Sequence, residues 1–478
     1  MTETTSIGEN ACRKNAQLLY RGVALAPMVR ASTTPLRMLA LKYGADFTYT
    51  EELVDRSLSQ TIRVENKELQ TIDYIKDPAM LPKKTRKKLK ASNNRPCLIL
   101  RIDPKIEKGK LICQLGTGEP ELALDAAKRV IGDVDAIDIN MGCPKKFSVS
   151  GGMGSALLKD PDRAARILRT LKKELLAPLG KPLSCKIRLL ETNQETVNYV
   201  EQMIDAGADA VAIHARRVGH EATEAADWKS LEAVLEVLRQ RRPGFPFLVN
   251  GDFYDRTERA EMVNKIKVDG VLLGRPALYN TSTFLSPLTP LVDKSDVVRE
   301  YVRLAARYDS HYKNTKYVVC EMMSHRRTPT GRVPYLAMKF PEGQTVGKTC
   351  NCHSLESLCE LWNVDHSAPT TIANSSSECT TNNNNSLAPT TLVAGEHRYE
   401  DSYFSKREQD PSEGAKATEE EKKTSDTQLL EETRRNNKRN SSDDNDDRNA
   451  KEYHQDESAK TIVKRAKILS ETASKTPI

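Results

Sequence analysis

The sequence predicts an α/β fold, a (β/α)8 TIM barrel followed by a small all-helical domain and a C-terminal tail too polar to pack. Three observations predict it. Eight short apolar runs recur between residues 23 and 273. Amphipathic segments separate most of them. Beyond residue 365 the hydrophobic periodicity stops.

The runs span residues 23–27, 46–51, 111–115, 136–141, 183–188, 210–214, 247–250 and 270–273. They are near-continuously apolar rather than alternating, as parallel strands covered on both faces are. Segments 160–175 and 194–206 carry the helical period expected of crossover helices. An open doubly wound sheet is the structural alternative; eight parallel units favour closure. Residues 1–20 read as an N-terminal extension and 21–286 as the barrel. A basic insert at about 77–110, containing LPKKTRKKLK, interrupts it. Just after those lysines, CLILRID and KLICQLG read as a hairpin around residues 104–109.

Residues 287–365 read as a helical domain. Segment 295–323 forms one or two long helices, and 355–362 a short one. Tyr301, Leu304, Tyr308 and Tyr312 fall on one face to be buried, while Arg299, Arg303 and Arg307 repeat every four residues as a basic stripe. Residues 366–478, with ASNSS-like clusters and charge runs such as DDNDDRN, bury too little apolar surface to fold and are expected to be disordered.

The net charge of +7 is mild, and the ten cysteines form no disulfide framework. Cys350, Cys352, His353 and Cys359 match no common zinc spacing, so no metal site is expected. The opening MTETTSIGENACRKN has no apolar signal region, and no run reaches the roughly 20 apolar residues of a membrane span. A cytoplasmic monomer is the expectation, with the nucleus as the alternative location.

Polar side chains gather at the C-terminal ends of the runs: Asn140 and Cys143, Lys186 and Arg188, His214 and Arg216, Asn250, then Arg275. That rim holds the active site in this barrel class. The sharpest motif is DINMGCPKK, where Gly142 permits a tight turn and presents Cys143. A thiol on such a loop acts as acid, nucleophile or ligand, or else is a partly buried structural cysteine. The glycine-rich GGMGSALL that follows would let the loop move.

These motifs, in order, are similar to those of the tRNA-dihydrouridine synthase family. The stretches are APMVRASTTPLRMLALKYGADFTYTEELVD, QLGT, DINMGCPKKFSVSGGMGSALL, CKIR, IHAR, NGD and GRPALYN. The helical stretch YVRLAARYDSHYKNTKY resembles the RNA-binding domain of the family's eukaryotic members that act at position 20 of tRNA. The resemblance spans about residues 20–362 and implies FMN at the barrel mouth, reduced by NADPH or NADH. Asn250, Gly251, Asp252, Gly274 and Arg275 would hold its phosphate end, Pro27 and Met28 would line the ring, and Gln114 would hydrogen-bond it. Lys186 would sit near N1 and the C2 carbonyl, and His214 near the ribityl or phosphate region. Flavin N5 would give hydride to C6 of a flipped-out uracil, and Cys143 would protonate C5. Arg299, Arg303, Arg307, Lys313 and Lys316, together with Arg326 and Arg327, are the expected tRNA contacts. Two rivals stand beside this reading: another FMN barrel of the dihydroorotate or enoate type, and a non-catalytic RNA-binding barrel.

Overall fold

The structure is a computed structural model, and it describes residues 3–80, 97–221, 223–254, 256–323 and 343–365. The lysine-rich segment 83–90, Arg326, Arg327 and the 366–478 tail lie outside the described residues.

All eight apolar runs are strands. In chain order the strands are β1 (Gly22–Leu25), β2 (Phe47–Tyr49), β3 (Leu53–Val54), β4 (Thr61–Asn66), β5 (Thr71–Lys76), β6 (Leu98–Ile102), β7 (Leu111–Gly116), β8 (Ala136–Asn140), β9 (Leu183–Leu189), β10 (Ala210–Arg217), β11 (Phe247–Asn250) and β12 (Gly270–Leu273). Eight of them pair in parallel in the order β2-β1-β12-β11-β10-β9-β8-β7, and β7 returns to β2 through Thr48 opposite Leu111. The sheet is therefore closed, and the open-sheet alternative falls. The closing seam is β1 against β12, with Gly22 opposite Gly270.

Strand side chains alternate, so every second residue enters the barrel. The lower interior is apolar, with Ala24, Phe47, Ile112, Ala136, Ala210, Leu248 and Leu272 in one cluster. The chain before β1 closes this end. Helix Glu3–Leu19 delivers the fully buried Tyr20 edge-on to Phe47, with ring centroids 6.0 Å apart. Gly8 lets that helix lie against residue 177; a Cβ there would come 2.3 Å from the Ala177 carbonyl oxygen. One step up each strand the inward residues turn polar: Gln114 on β7, Asp138 on β8, Ser184 on β9. Ser184 Oγ and Gln114 Nε2 donate to the two Asp138 oxygens at 2.6 and 2.8 Å. The same register carries Lys186, His214 and Asn250 to the upper mouth.

The expected hairpin is corrected. CLILRID and KLICQLG do not pair. Residues Leu98–Ile102 instead join β4 and β5 in a separate antiparallel sheet of order β4-β5-β6, while Leu111–Gly116 is a barrel strand. Pro104–Glu107 between them is a helical turn capped by Asp103. The side sheet starts at Thr61, well before the insert expected at about residue 77.

Two long helices, Lys294–Arg307 and Tyr312–Met323, follow the barrel, and Leu355–Leu361 is the short one. Tyr301, Leu304 and Tyr308 are buried as their spacing implied, and Tyr312 is half-buried. The first of these helices packs on helix Thr34–Lys42, with Lys42 Nζ 2.7 Å from Glu300. Tyr308 Oη donates to Asp103 at 2.6 Å, and its carbonyl accepts from the Arg101 guanidinium. Arg101 also pairs with Asp73 inside the side sheet, at 2.6 Å.

Candidate active site

The Cys loop is shaped by β8. Asn140, its last residue, turns its side-chain oxygen under the loop, where the amides of Gly142 and Cys143 both donate to it at 3.0 Å. Arg188 at the end of β9 holds the far side, Nε donating to the Gly142 carbonyl at 3.0 Å. The Cys143 carbonyl in turn accepts from the Ser155 amide at 3.0 Å. Gly154 makes this return possible. It has φ +58°, and a Cβ there would come 2.6 Å from the Cys143 carbonyl oxygen. The thiol is left partly exposed over the mouth.

Beneath it lies a cavity of about 440 Å³, within the usual range for small-molecule sites. Pro27, Gln114, Cys143, Lys186, His214 and Asn250 all line it, so the structure brings six of the expected site residues together. Gln114 is fixed at both ends of its amide, donating to Asp138 and accepting from Asn140 Nδ2 at 3.2 Å. Asn250 is tied by Nδ2 to the Leu272 carbonyl at 2.7 Å. Met28 adjoins the wall; the Cβ position of Gly274 lies 3.7 Å from its sulfur.

The remaining expected residues lie just past the strand ends, outside the lining of this cavity. Gly251 has φ +132°, and Asp252 has φ +51°. Asp252 bridges two arginines, pairing with the buried Arg216 and, at 2.6 Å, with Arg275. Arg275 also sits over the Tyr254 ring, 5.5 Å from its centroid.

Charge in the mouth is mostly positive. Burial pushes the Lys186 ammonium down to about 8, with Arg188 adding repulsion. The same burial, reinforced by Lys186 and Arg188, holds His214 well below the ordinary histidine range, so its imidazole is neutral. Its Nδ1 is buried without a hydrogen-bond partner among the described residues, a polar atom left over for something in the cavity. Asp138, fully buried, rises to about 6.

The expected tRNA contacts are on the helices. Arg299 pairs with Asp296 and Arg303 with Glu300, each one turn back, and Arg307 lies over the Tyr308 ring at 5.3 Å. Lys316 Nζ donates to the carbonyls of Cys350 and Cys352 at 2.8 and 2.9 Å. Lys313 is exposed.

A family model described as Dihydrouridine synthase (Dus) matches residues 24–328. The chain belongs to the dihydrouridine synthase family. A tRNA-dihydrouridine(20) synthase [NAD(P)+] of Schizosaccharomyces pombe is 39% identical over 306 residues, 63% of this chain and 59% of that protein. Its Saccharomyces cerevisiae counterpart is 36% identical over 64% of this chain and 78% of its own length. A tRNA-dihydrouridine(16/17) synthase [NAD(P)(+)] of Schizosaccharomyces pombe is 30% identical over 59% of this chain and 63% of its own length. The chain thus spans somewhat over half of the first relative and over three quarters of the second.

Within this dihydrouridine synthase barrel, several lining residues were not singled out from sequence as binding the ligand. Arg188 and Asn140 stood at strand ends, but their work of shaping the Cys loop depends on distant backbone. Glu52 and Phe147 also line the cavity. Glu52 follows another glutamate, and nothing local separates the two.

Proposed function

We propose that the protein reduces a uridine of tRNA, at position 20 of the D-loop, to 5,6-dihydrouridine, with FMN as bound cofactor and NADPH or NADH as reductant. The observation that carries this reading is the thiol of Cys143 suspended over a cationic cavity in a dihydrouridine synthase barrel. The names of the two position-20 relatives supply the base position and the nicotinamide.

The residues present fit FMN. The unpartnered His214 Nδ1, the side-chain-free backbone at Gly251 and Gly274, and the guanidinium of Arg275 suit an anionic, polar ligand. Gln114 and Lys186 offer hydrogen-bonding and positive charge, and Pro27 and Met28 a flat apolar wall. FMN, when bound, supplies the hydride for C6 of the uracil. The protein's own contribution is different. Lys186 favours negative charge collecting in the cavity. Asn140 and Arg188 fix the Cys loop, and Cys143 carries the proton that C5 needs once charge develops there. Exposed Phe147, on the same loop, gives the extruded base an apolar neighbour.

Basic groups on helices Lys294–Arg307 and Tyr312–Met323 would meet the tRNA backbone. Asp296 and Glu300 already offset two of the three stripe arginines. The test is direct. Purified protein should be yellow and, with NADPH, should place dihydrouridine at position 20 of an unmodified tRNA transcript. A flavin-loaded protein that leaves the transcript unchanged, yet reduces dihydroorotate-type or enoate substrates, would overturn the reading.

A further inference from the structure

One ionisable group at the mouth has no part in that chemistry. Glu52 lines the same cavity as Cys143, yet only 8% of it is exposed. Its Oε1 accepts from Ser148 Oγ at 2.9 Å. Its Oε2 is buried without a hydrogen-bond partner among the described residues, and Cys143 stands beside the pair: the Cβ position of Gly154 lies 2.4 Å from Ser148 Oγ and 3.1 Å from Cys143 Cβ. Cys143, Ser148 and Glu52 therefore form one cluster.

The seat is built for this carboxyl. β3 begins at the next residue and pairs with the end of β7, setting Val54 opposite Gly116. A Cβ on Gly116 would come 2.6 Å from Glu52 Oε1, so only glycine admits the side chain there. Gly154 does the same for the hydroxyl; its Cβ would lie 2.4 Å from Ser148 Oγ. A carboxyl buried beside a thiol is costly, and nothing in the packing of β3 requires one.

We propose that Glu52 is the positioning residue of Cys143: anchored by Ser148, its carboxylate keeps the proton on the sulfur between turnovers. The inference rests on the acid role assigned to Cys143 above. When the S–H bond breaks and a C5–H bond forms, the sulfur is left as thiolate. The thiolate then takes its next proton from water at the open mouth, and S–H re-forms. No electrons are exchanged in this step.

Cationic groups line the cavity beside the sulfur. Lys186 and Arg188 approach it from β9, and both favour a thiolate, which has no proton to give. Lys145 adds a backbone hydrogen bond in the same direction. Against them stand burial first and then Glu52, which together push the Cys143 thiol up.

The test uses the flavin-loaded holoenzyme and reads Cys143 itself. Alkylation by iodoacetamide is followed against pH, with the Cys143 peptide quantified by mass so that exposed Cys97 and Cys350 do not interfere. Glu52→Gln keeps the size of the side chain and removes its charge. The midpoint should fall, and alkylation at neutral pH should rise roughly tenfold for each unit of the fall. Dihydrouridine formation should drop while NADPH oxidation by the flavin holds. An unchanged midpoint in a yellow, folded Glu52→Gln protein overturns the proposal. If that variant loses its flavin, Glu52→Asp carries the same test: the shorter side chain draws the charge back from the sulfur, so a smaller fall supports the proposal and no change overturns it. Wild-type protein that forms no dihydrouridine would instead refute the parent reaction, a result read in a separate assay.

Discussion

At the residue scale, the expectation for Cys143 separates two half-reactions. Cys143→Ala should keep its flavin and its reduction by NADPH, because in the proposed reaction the thiol serves only to protonate C5. Dihydrouridine formation should fall by about 10²–10⁴-fold, the usual worth of a positioned acid. Stopped-flow flavin reduction beside a tRNA product assay checks both. Lys186 makes a pH prediction. Its pKa is lowered by burial from 10.5 to about 8. Between those values the unfolded chain binds the extra proton, so this residue's contribution to stability improves as pH rises through that window. Its positive charge is lost over the same range, so binding of anionic flavin should weaken above about pH 8. Lys186→Met should bind flavin more weakly and show no such alkaline limb in a flavin titration. These residues were legible in sequence because each stands near the C-terminal end of an apolar run. Glu52 was not, since its meaning lies in Gly116, Ser148 and Cys143, which are far from it in the chain.

At the element scale, the barrel strands were readable because burial on both faces makes them continuous apolar runs. The side sheet was not. β4 is half-exposed and β5 short and of mixed composition, and β6, the partner of β5, comes after residues 81–96. Apolar CLILRID was therefore assigned to its nearest neighbour instead of to β5. What this sheet does is visible in Arg101, which joins Asp73 within it to the Tyr308 carbonyl of the helical region. Arg101→Met should leave Asp73 buried and unpaired, at a cost of about 3–5 kcal/mol. Asp73→Asn in the same chain should recover part of the loss, and thermal unfolding of the three variants decides. The basic stripe gives a different forecast. Alanine at Arg299, Arg303 and Arg307 should raise the KM for tRNA and flatten its salt dependence, by at most about 0.9 log–log units for each phosphate no longer neutralised. Because Asp296 then loses its partner, adding Asp296→Asn should recover part of the affinity.

At the scale of the whole molecule, the hydrophobic core reaches Trp362, fully buried, and Val364. A chain cut after residue 365 should therefore keep its melting temperature and flavin, whereas one cut after 354 should lose several degrees by removing helix Leu355–Leu361. The closing seam has a consequence for how the chain is made. β1 has its outer neighbour in β12, so one edge of the first strand stays unpaired until residues 270–273 have left the ribosome. At about 5–20 residues per second this is a wait of roughly 10–50 s. Throughout it, a bare strand edge and the apolar floor it belongs to stand open to other nascent chains. Barrel closure thus acts as a late checkpoint on synthesis, and shortage of a chaperone that shields unpaired edges should lower the yield of this protein more than its final stability would suggest.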